Sequence, residues 1–276
     1  MRRQPDGLGW AVDTSGVHLV NHGTVHFVIE DCIAKIVFDR PHARNAMTWA
    51  MYEQLTAACS VIASNSDVRV ATFRGAGHAF AAGTDISQFE AFASAQDGLA
   101  YEHRMESVIA AIEDLKVPTV AVIEGAAMGG GLLIATACDI RIAACSARLG
   151  VPIARTVGNC VSMANTARLV ATFGTERTKR MLLLAESISA EEALACGFVV
   201  RTAAPEAMEE ALRAICERLL SHAPITMHVA KESIRRLRAA MIPGGDDLLR
   251  LAYGSEDFKT GLRAFLSKER PEWRGR

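Results

Sequence analysis

Residues 117–143 read VPTVAVIEGAAMGGGLLIATACDIRIA. After Pro118 comes a short apolar, β-branched run that reads as a buried strand. A small-residue loop follows and ends in Gly129, Gly130 and Gly131, directly before an apolar helix-like run. DIRIA then reads as another strand. Strand, glycine loop, helix and strand together form the unit of an α/β fold with crossover helices. Glycines let a backbone approach a neighbour closely and adopt positive φ. A helix start also leaves N–H groups unpaired and partly positive.

The same unit occurs earlier. VRVATFRG (68–75) reads as a buried strand, GAGHAFAAGTD (75–85) as its glycine-alanine loop, and Leu99 to Leu115 as an amphipathic helix. Upstream, VHFVIEDCIAKIVFD (25–39) reads as a hairpin turning near Glu30 and Asp31. Pro41 breaks the pattern, and Thr48 caps a helix to about Ala63 with Met51, Leu55, Ala58 and Ile62 on one face. From Val161 onward the pattern is helical, over 161–172, 176–185, 189–195, 205–221, 225–239 and 246–266. The expected organisation is a flexible extension over 1–24, an α/β core over 25–205 and a helical region over 206–276.

Bulk properties fit an ordinary globular protein: 276 residues, half of them hydrophobic, with a formal net charge of −1. That balance gives no basis for a nucleic-acid or membrane-surface partner. Seven scattered cysteines without a CxxC pair read as reduced, buried thiols and predict a cytoplasmic protein with no metal site. No run reaches the length of a transmembrane helix, and the N-terminus lacks a signal-peptide core.

Both glycine loops follow a strand and precede a helix, so together they could point two N–H donors at one oxygen, as an oxyanion hole. The plain alternative is tight turns and close helix–strand packing. A phosphate cradle is the third option, but neither loop supplies GxxxxGK[ST], and GGGLLI fails GxGxxG at its last glycine.

AFAAGTDI (79–86) followed by the 117–143 stretch resembles the enoyl-CoA hydratase/isomerase (crotonase) family. The likeness extends to RPHARNAM (40–47), RLGVP (148–152), SISAEEALACGFVVR (187–201) and EDFKTGLRAFLSKERPEW (256–273), nearly the whole chain. It implies a crotonase-like ββα spiral core with a C-terminal helical region that builds trimers, often paired into hexamers. It also implies an acyl-CoA thioester as substrate, with no cofactor beyond the coenzyme A that the substrate carries. Carried over by position, the oxyanion-hole amides fall on Thr84 and Gly130. Ala43, Arg44 and Asn45, with Ala82, Gly83, Asp85 and Ile86, fall where the family binds substrate. Asp85 reads most simply as the cap of a short helix. Lys259 and the KERPEW tail resemble the basic end that contacts CoA phosphate, although a solvated cationic helix also accounts for them.

Two positions depart from the family's hydratases. Where those enzymes carry glutamates for the water and the α-proton, this chain has Leu133 and Ile153, or Ala154 if the register slides by one. None of these side chains can exchange a proton. Arg155, Thr156, Asn159 and Cys160 are the nearest polar groups in sequence, each with an ordinary structural reading beside it. Glu90 and Glu102 lie on the segment that roofs the pocket in relatives, where either could supply an acid; a solvated helix face is the reading taken. His103 and His78 read as surface residues, and no GxSxG supports serine chemistry at Ser87 or Ser162. The sequence therefore points to an isomerase- or lyase-like enzyme working through a thioester enolate. The competing reading is a catalytically silent acyl-CoA-binding or assembly subunit with Leu133 and Ile153 lining an acyl tunnel.

Overall fold

The computed structural model describes residues 22–240, 242 and 244–276. Most of the extension expected over 1–24 lies outside them. His22 does not stand off from the fold: its carbonyl accepts from Thr48 Oγ1 at 2.7 Å.

Strands β1 (Thr24–Glu30) and β2 (Ile33–Asp39) form the expected hairpin, with the turn at Asp31 and Cys32. Helix α1 (Trp49–Ser64) starts at Thr48, whose side chain accepts from the Met51 amide. The chain then winds through repeated corners. Strand β3 (Val70–Gly75) turns into β4 (Ala79–Ala81), and after helix α2 (Ala95–Glu113) strand β5 (Thr119–Ile123) turns into β6 (Ala126–Met128). Helix α3 (Gly130–Ala137) leads to β7 (Ile140–Ala144), which turns into β8 (Arg148–Gly150).

Each pair contributes one strand to each of two sheets. The wide sheet has the order β1-β2-β3-β5-β7-β10, with β10 at Arg201–Ala203. The narrow sheet has the order β4-β6-β8-β9, with β9 at Ser187–Ser189. Strands β2, β3, β5, β7 and β10 run parallel, as do β4, β6 and β8. This is a ββα spiral. The narrow sheet was not legible from sequence, because its strands are three residues long and show no usable alternation. The corners need glycine: a β-carbon on Gly75 would meet the Ala79 carbonyl oxygen at 1.9 Å, and one on Gly125 (φ +69°) the His78 oxygen at 1.9 Å.

The remaining chain is mainly helical: α4 (Ile153–Thr156), α5 (Met163–Leu183), α6 (Ala190–Ala195), α7 (Met208–Ser221), α8 (Pro224–Ala239), α9 (Asp246–Tyr253) and α10 (Glu256–Ser267). Gly174 (φ 75°) interrupts α5 where the sequence predicts a break. The segment expected as one helix over 246–266 is two, divided at Gly254 and recapped by Ser255, whose side chain accepts from the Phe258 amide. The C-terminal helices are not a separate layer. Leu249, Tyr253, Phe258 and Leu262 belong to the same buried core as the spiral. Every residue of α3 is buried, so this helix is the centre of the molecule. Cys59, Cys138 and Cys216 are buried as expected, whereas Cys32 and Cys145 are exposed because both lie in turns.

Candidate active site

In a parallel sheet the loops leaving the C-terminal ends of neighbouring strands share one edge, where ligands commonly bind. Here β4 leads into Gly83 and Thr84, β6 into Gly129 and Gly130, and β8 into Val151 and Pro152. All six residues line one cavity of about 440 Å³. Phe89, Tyr101, Glu102 and Met105 also line it, as does Phe265 of α10.

The β4 loop is held rigidly. Met47 N donates to Gly83 O and Asp85 N to Met47 O, so the residues flanking Thr84 face the 40–47 segment. The Thr84 N–H therefore points to the other side, as alternation along an extended chain requires. Gly130 is the first residue of α3, so its N–H is one of that helix's unpaired donors. Neither amide has a hydrogen-bond partner among the described residues. The loops are in contact, since a β-carbon on Gly83 would lie 3.7 Å from the Gly130 nitrogen.

The glycine triplet has three separate causes. Gly129 sits at φ 50° and ψ −123°, a conformation that strains an L side chain. A β-carbon on Gly130 would lie 2.8 Å from the Tyr52 hydroxyl and 3.3 Å from Thr84 Oγ1. One on Gly131 would lie 2.2 Å from the Ala81 carbonyl oxygen, so α3 packs directly on β4 backbone.

Of the residues nominated from sequence, Thr84, Gly130, Ala43, Arg44, Ala82, Gly83, Asp85, Ile86, Leu133 and Ile153 all line the cavity. Asn45 does not, which corrects its expected place. It is 0% exposed, its Oδ1 accepts from Arg40 N, and its Nδ2 donates to the carbonyls of Ala76 and Ala79 at 2.8 Å each. Asn45 fastens the 40–47 loop to the β3–β4 corner rather than facing a ligand. Asp85 is the expected cap, accepting from Ser87 and pairing with Arg40 at 2.7 Å. Burial pushes its carboxyl up, but the bonds from Ser87 and Arg40 outweigh that and hold it below its ordinary value.

The Thr84 hydroxyl is a hub that sequence reasoning passed over. It hydrogen-bonds the Tyr52 hydroxyl at 2.8 Å and the Tyr101 hydroxyl at 2.9 Å, all three buried. Burial raises both phenols, which stay protonated. Glu102 is the larger correction. Instead of a solvated helix face, it is 3% exposed and on the cavity wall, accepting from Tyr253 Oη at 2.8 Å and from the Ser162 amide at 2.9 Å. Burial pushes its carboxyl up to about 7. The signal was present, because Glu102 sits three residues after Leu99 and three before Met105, on the apolar stripe of α2.

Other candidates fall away from the chemistry. Glu90, His103, His78 and Arg155 are exposed. Cys160 lines the cavity, but burial pushes its thiol up to about 12, so it is no nucleophile at neutral pH. Asn159 also lines it and donates to Tyr253 Oη at 3.3 Å. Among the described residues, no cluster of three or more His, Cys, Asp or Glu side chains could hold a metal. Nor is any helix there long and apolar enough to cross a membrane.

The family model described as enoyl-CoA hydratase/isomerase matches residues 28–276. The chain belongs to the enoyl-CoA hydratase/isomerase family. Its similarity covers most of each relative's length. It is 31% identical to a probable enoyl-CoA hydratase of Bacillus subtilis (strain 168) over 256 residues, 91% of this chain and 98% of that one. It is 30% identical to a short-chain-enoyl-CoA hydratase of Clostridium acetobutylicum, over 88% of this chain and 94% of that one. Among solved structures, methylmalonyl-CoA decarboxylase complexed with 2S-carboxypropyl-CoA matches with a TM-score of 0.83 at 25% identity, over 91% and 98% of the two chains. The family thus includes hydratases and a decarboxylase on this crotonase fold.

Proposed function

We propose that this crotonase-family enzyme binds an acyl-CoA thioester with its carbonyl oxygen between the Thr84 and Gly130 amides. There it stabilises the enolate formed when charge moves onto that oxygen. The supporting observation is the pair of unengaged N–H groups on two touching loops at one cavity. Such a donor is worth about 2.7–4 kcal/mol of transition-state stabilisation. The N-terminus of α3 favours the same negative charge.

Leu133 and Ile153 line this cavity with aliphatic carbon, and the family resemblance implies glutamates at these two positions in its hydratases. The reading is therefore isomerase- or lyase-like chemistry, not addition of water. Ala43 and Arg44 at the rim fit the nucleotide end of the substrate. An assembly of trimers fits α8, whose Ile225, Val229, Ile234 and Leu237 are all exposed in the single chain.

Assays with crotonyl-CoA and with a 3-enoyl-CoA test the reading. Turnover of the 3-enoyl thioester with little hydration of crotonyl-CoA is expected. Hydration at a rate typical of the family's hydratases would overturn it. Tight acyl-CoA binding without turnover of any thioester would favour the silent subunit instead.

A further inference from the structure

We propose that Glu102 is the proton carrier of this site, taking an α-proton from a bound 3-enoyl-CoA thioester and returning it to the γ-carbon. The assignment rests on the thioester reading above and adds to it the residue and the substrate class.

Placement comes first. Glu102 lines the same cavity as Thr84 and Gly130, and its neighbour Tyr101 hydrogen-bonds Thr84 Oγ1. Buttressing comes second. Tyr253 of α9 donates to one carboxyl oxygen and the Ser162 amide, at the start of α5, to the other. Asn159 in turn donates to the Tyr253 hydroxyl. A carboxylate has about four lone-pair sites, so two held oxygens still leave acceptor capacity for a substrate proton.

A purely structural role explains the residue poorly. Among the described residues no lysine, arginine or histidine forms an ion pair with Glu102. Burying a carboxyl without a counter-charge is costly, and a neutral amide or apolar side chain would line the wall at less expense. The cost has a use in proton transfer, since the effective catalytic base has its pKa near the working pH.

Among the described residues near Glu102, the other titratable groups are poorly suited to carry the proton. Tyr52 of α1, Tyr101 of α2 and Tyr253 of α9 are raised by burial and stay protonated, as does the Cys160 thiol. Glu106 lies one turn along α2 and raises Glu102 further. Asp85, also on the cavity wall, is held by Arg40 and Ser87.

The step balances without oxidant or water. The α C–H bond breaks, its proton passes to the Glu102 carboxylate, and the electron pair moves to the thioester oxygen at Thr84 and Gly130. The double bond shifts as the same proton forms the γ C–H bond, giving the 2-enoyl thioester and restoring the carboxylate.

Butyryl-CoA in D₂O isolates the first half, since it has α-protons but no double bond to move. The wild-type protein is expected to bind it, measured by calorimetry, and to exchange its α-protons, measured by mass spectrometry. The rate should rise with pH through an inflection near the carboxyl's value of about 7. Glu102→Gln should still bind but lose exchange by at least about 10²-fold, the usual scale of a general base, with Glu102→Asp recovering part of it. Exchange by a binding-competent Glu102→Gln at the wild-type rate would overturn the assignment. So would wild-type binding without exchange, or wild-type exchange with no inflection near neutral pH. Absence of butyryl-CoA binding by the wild type would instead remove the thioester reading, and the assignment with it.

Discussion

Tyr253 packs directly on Gly98, where a β-carbon would fall 2.0 Å from the tyrosine Cγ. This contact joins the first turn of α2 to the end of α9 and fixes the phenol that donates to Glu102. Gly98→Ala should therefore act twice. Overpacking of this kind costs about 1–3 kcal/mol of stability, readable by urea unfolding. The displaced phenol should also lower turnover. Wild-type stability in Gly98→Ala would show that the two helices can slide apart freely.

The triplet gives a ranked pair of variants. Gly129→Ala meets only the Gly83 Cα at 3.9 Å, so its cost is the positive φ alone, about 1–3 kcal/mol. Gly131→Ala drives a methyl group to 2.2 Å from the Ala81 carbonyl oxygen and 2.7 Å from its Cβ. Backbone on both sides cannot yield cheaply, so Gly131→Ala should be the less stable of the two in thermal unfolding. The reverse order would contradict the packing of α3 on β4.

A buried charge cluster supplies the third test. Glu113 receives Nε and Nη2 of Arg168 at 2.9 Å each, and Nη2 of Arg238 at 2.7 Å. The Arg168 and Glu113 side chains are buried, and the cluster ties α2 to α5 and α8. Removing one partner of a buried pair leaves uncompensated charge, so Glu113→Ala should cost about 3–5 kcal/mol in denaturant unfolding. A loss below about 1 kcal/mol, the scale of surface pairs, would mean that water reaches the cluster.

Stability should also depend on pH through Glu102. Its folded value of about 7 lies above the ordinary 4.5, so between these limits the unfolded chain gives up a proton that the folded chain keeps. The protonated carboxyl's contribution is full below pH 4.5 and fades as pH rises to about 7. The shift is worth about 3 kcal/mol as an order of magnitude. The unfolding free energy of Glu102→Gln relative to wild type should accordingly increase across that window. A flat difference would indicate an unperturbed carboxyl.

Legibility from sequence followed chemistry type. The strand–glycine–helix units announced themselves because buried strands and glycine loops leave strong local signals, while the family resemblance singled out Thr84, Gly130, Leu133 and Ile153, which line one cavity. The narrow sheet left none, its strands being three residues long. Glu102 was misread because a charged residue on a helix is normally solvated, while its partners Tyr253 and Ser162 stand 151 and 60 residues away. Tyr52 carried a weak signal, lying three residues before Leu55 on the buried stripe of α1. Asn45 was nominated by motif, but its fully used amide shows that motif position does not separate a ligand contact from a loop fastener.

A structure determined with butyryl-CoA bound tests the central claim most directly. The account predicts the thioester oxygen at about 2.7–3.1 Å from both the Thr84 and the Gly130 amide nitrogens. A carbonyl oxygen seated elsewhere in the cavity, or held by only one of those amides, would contradict it.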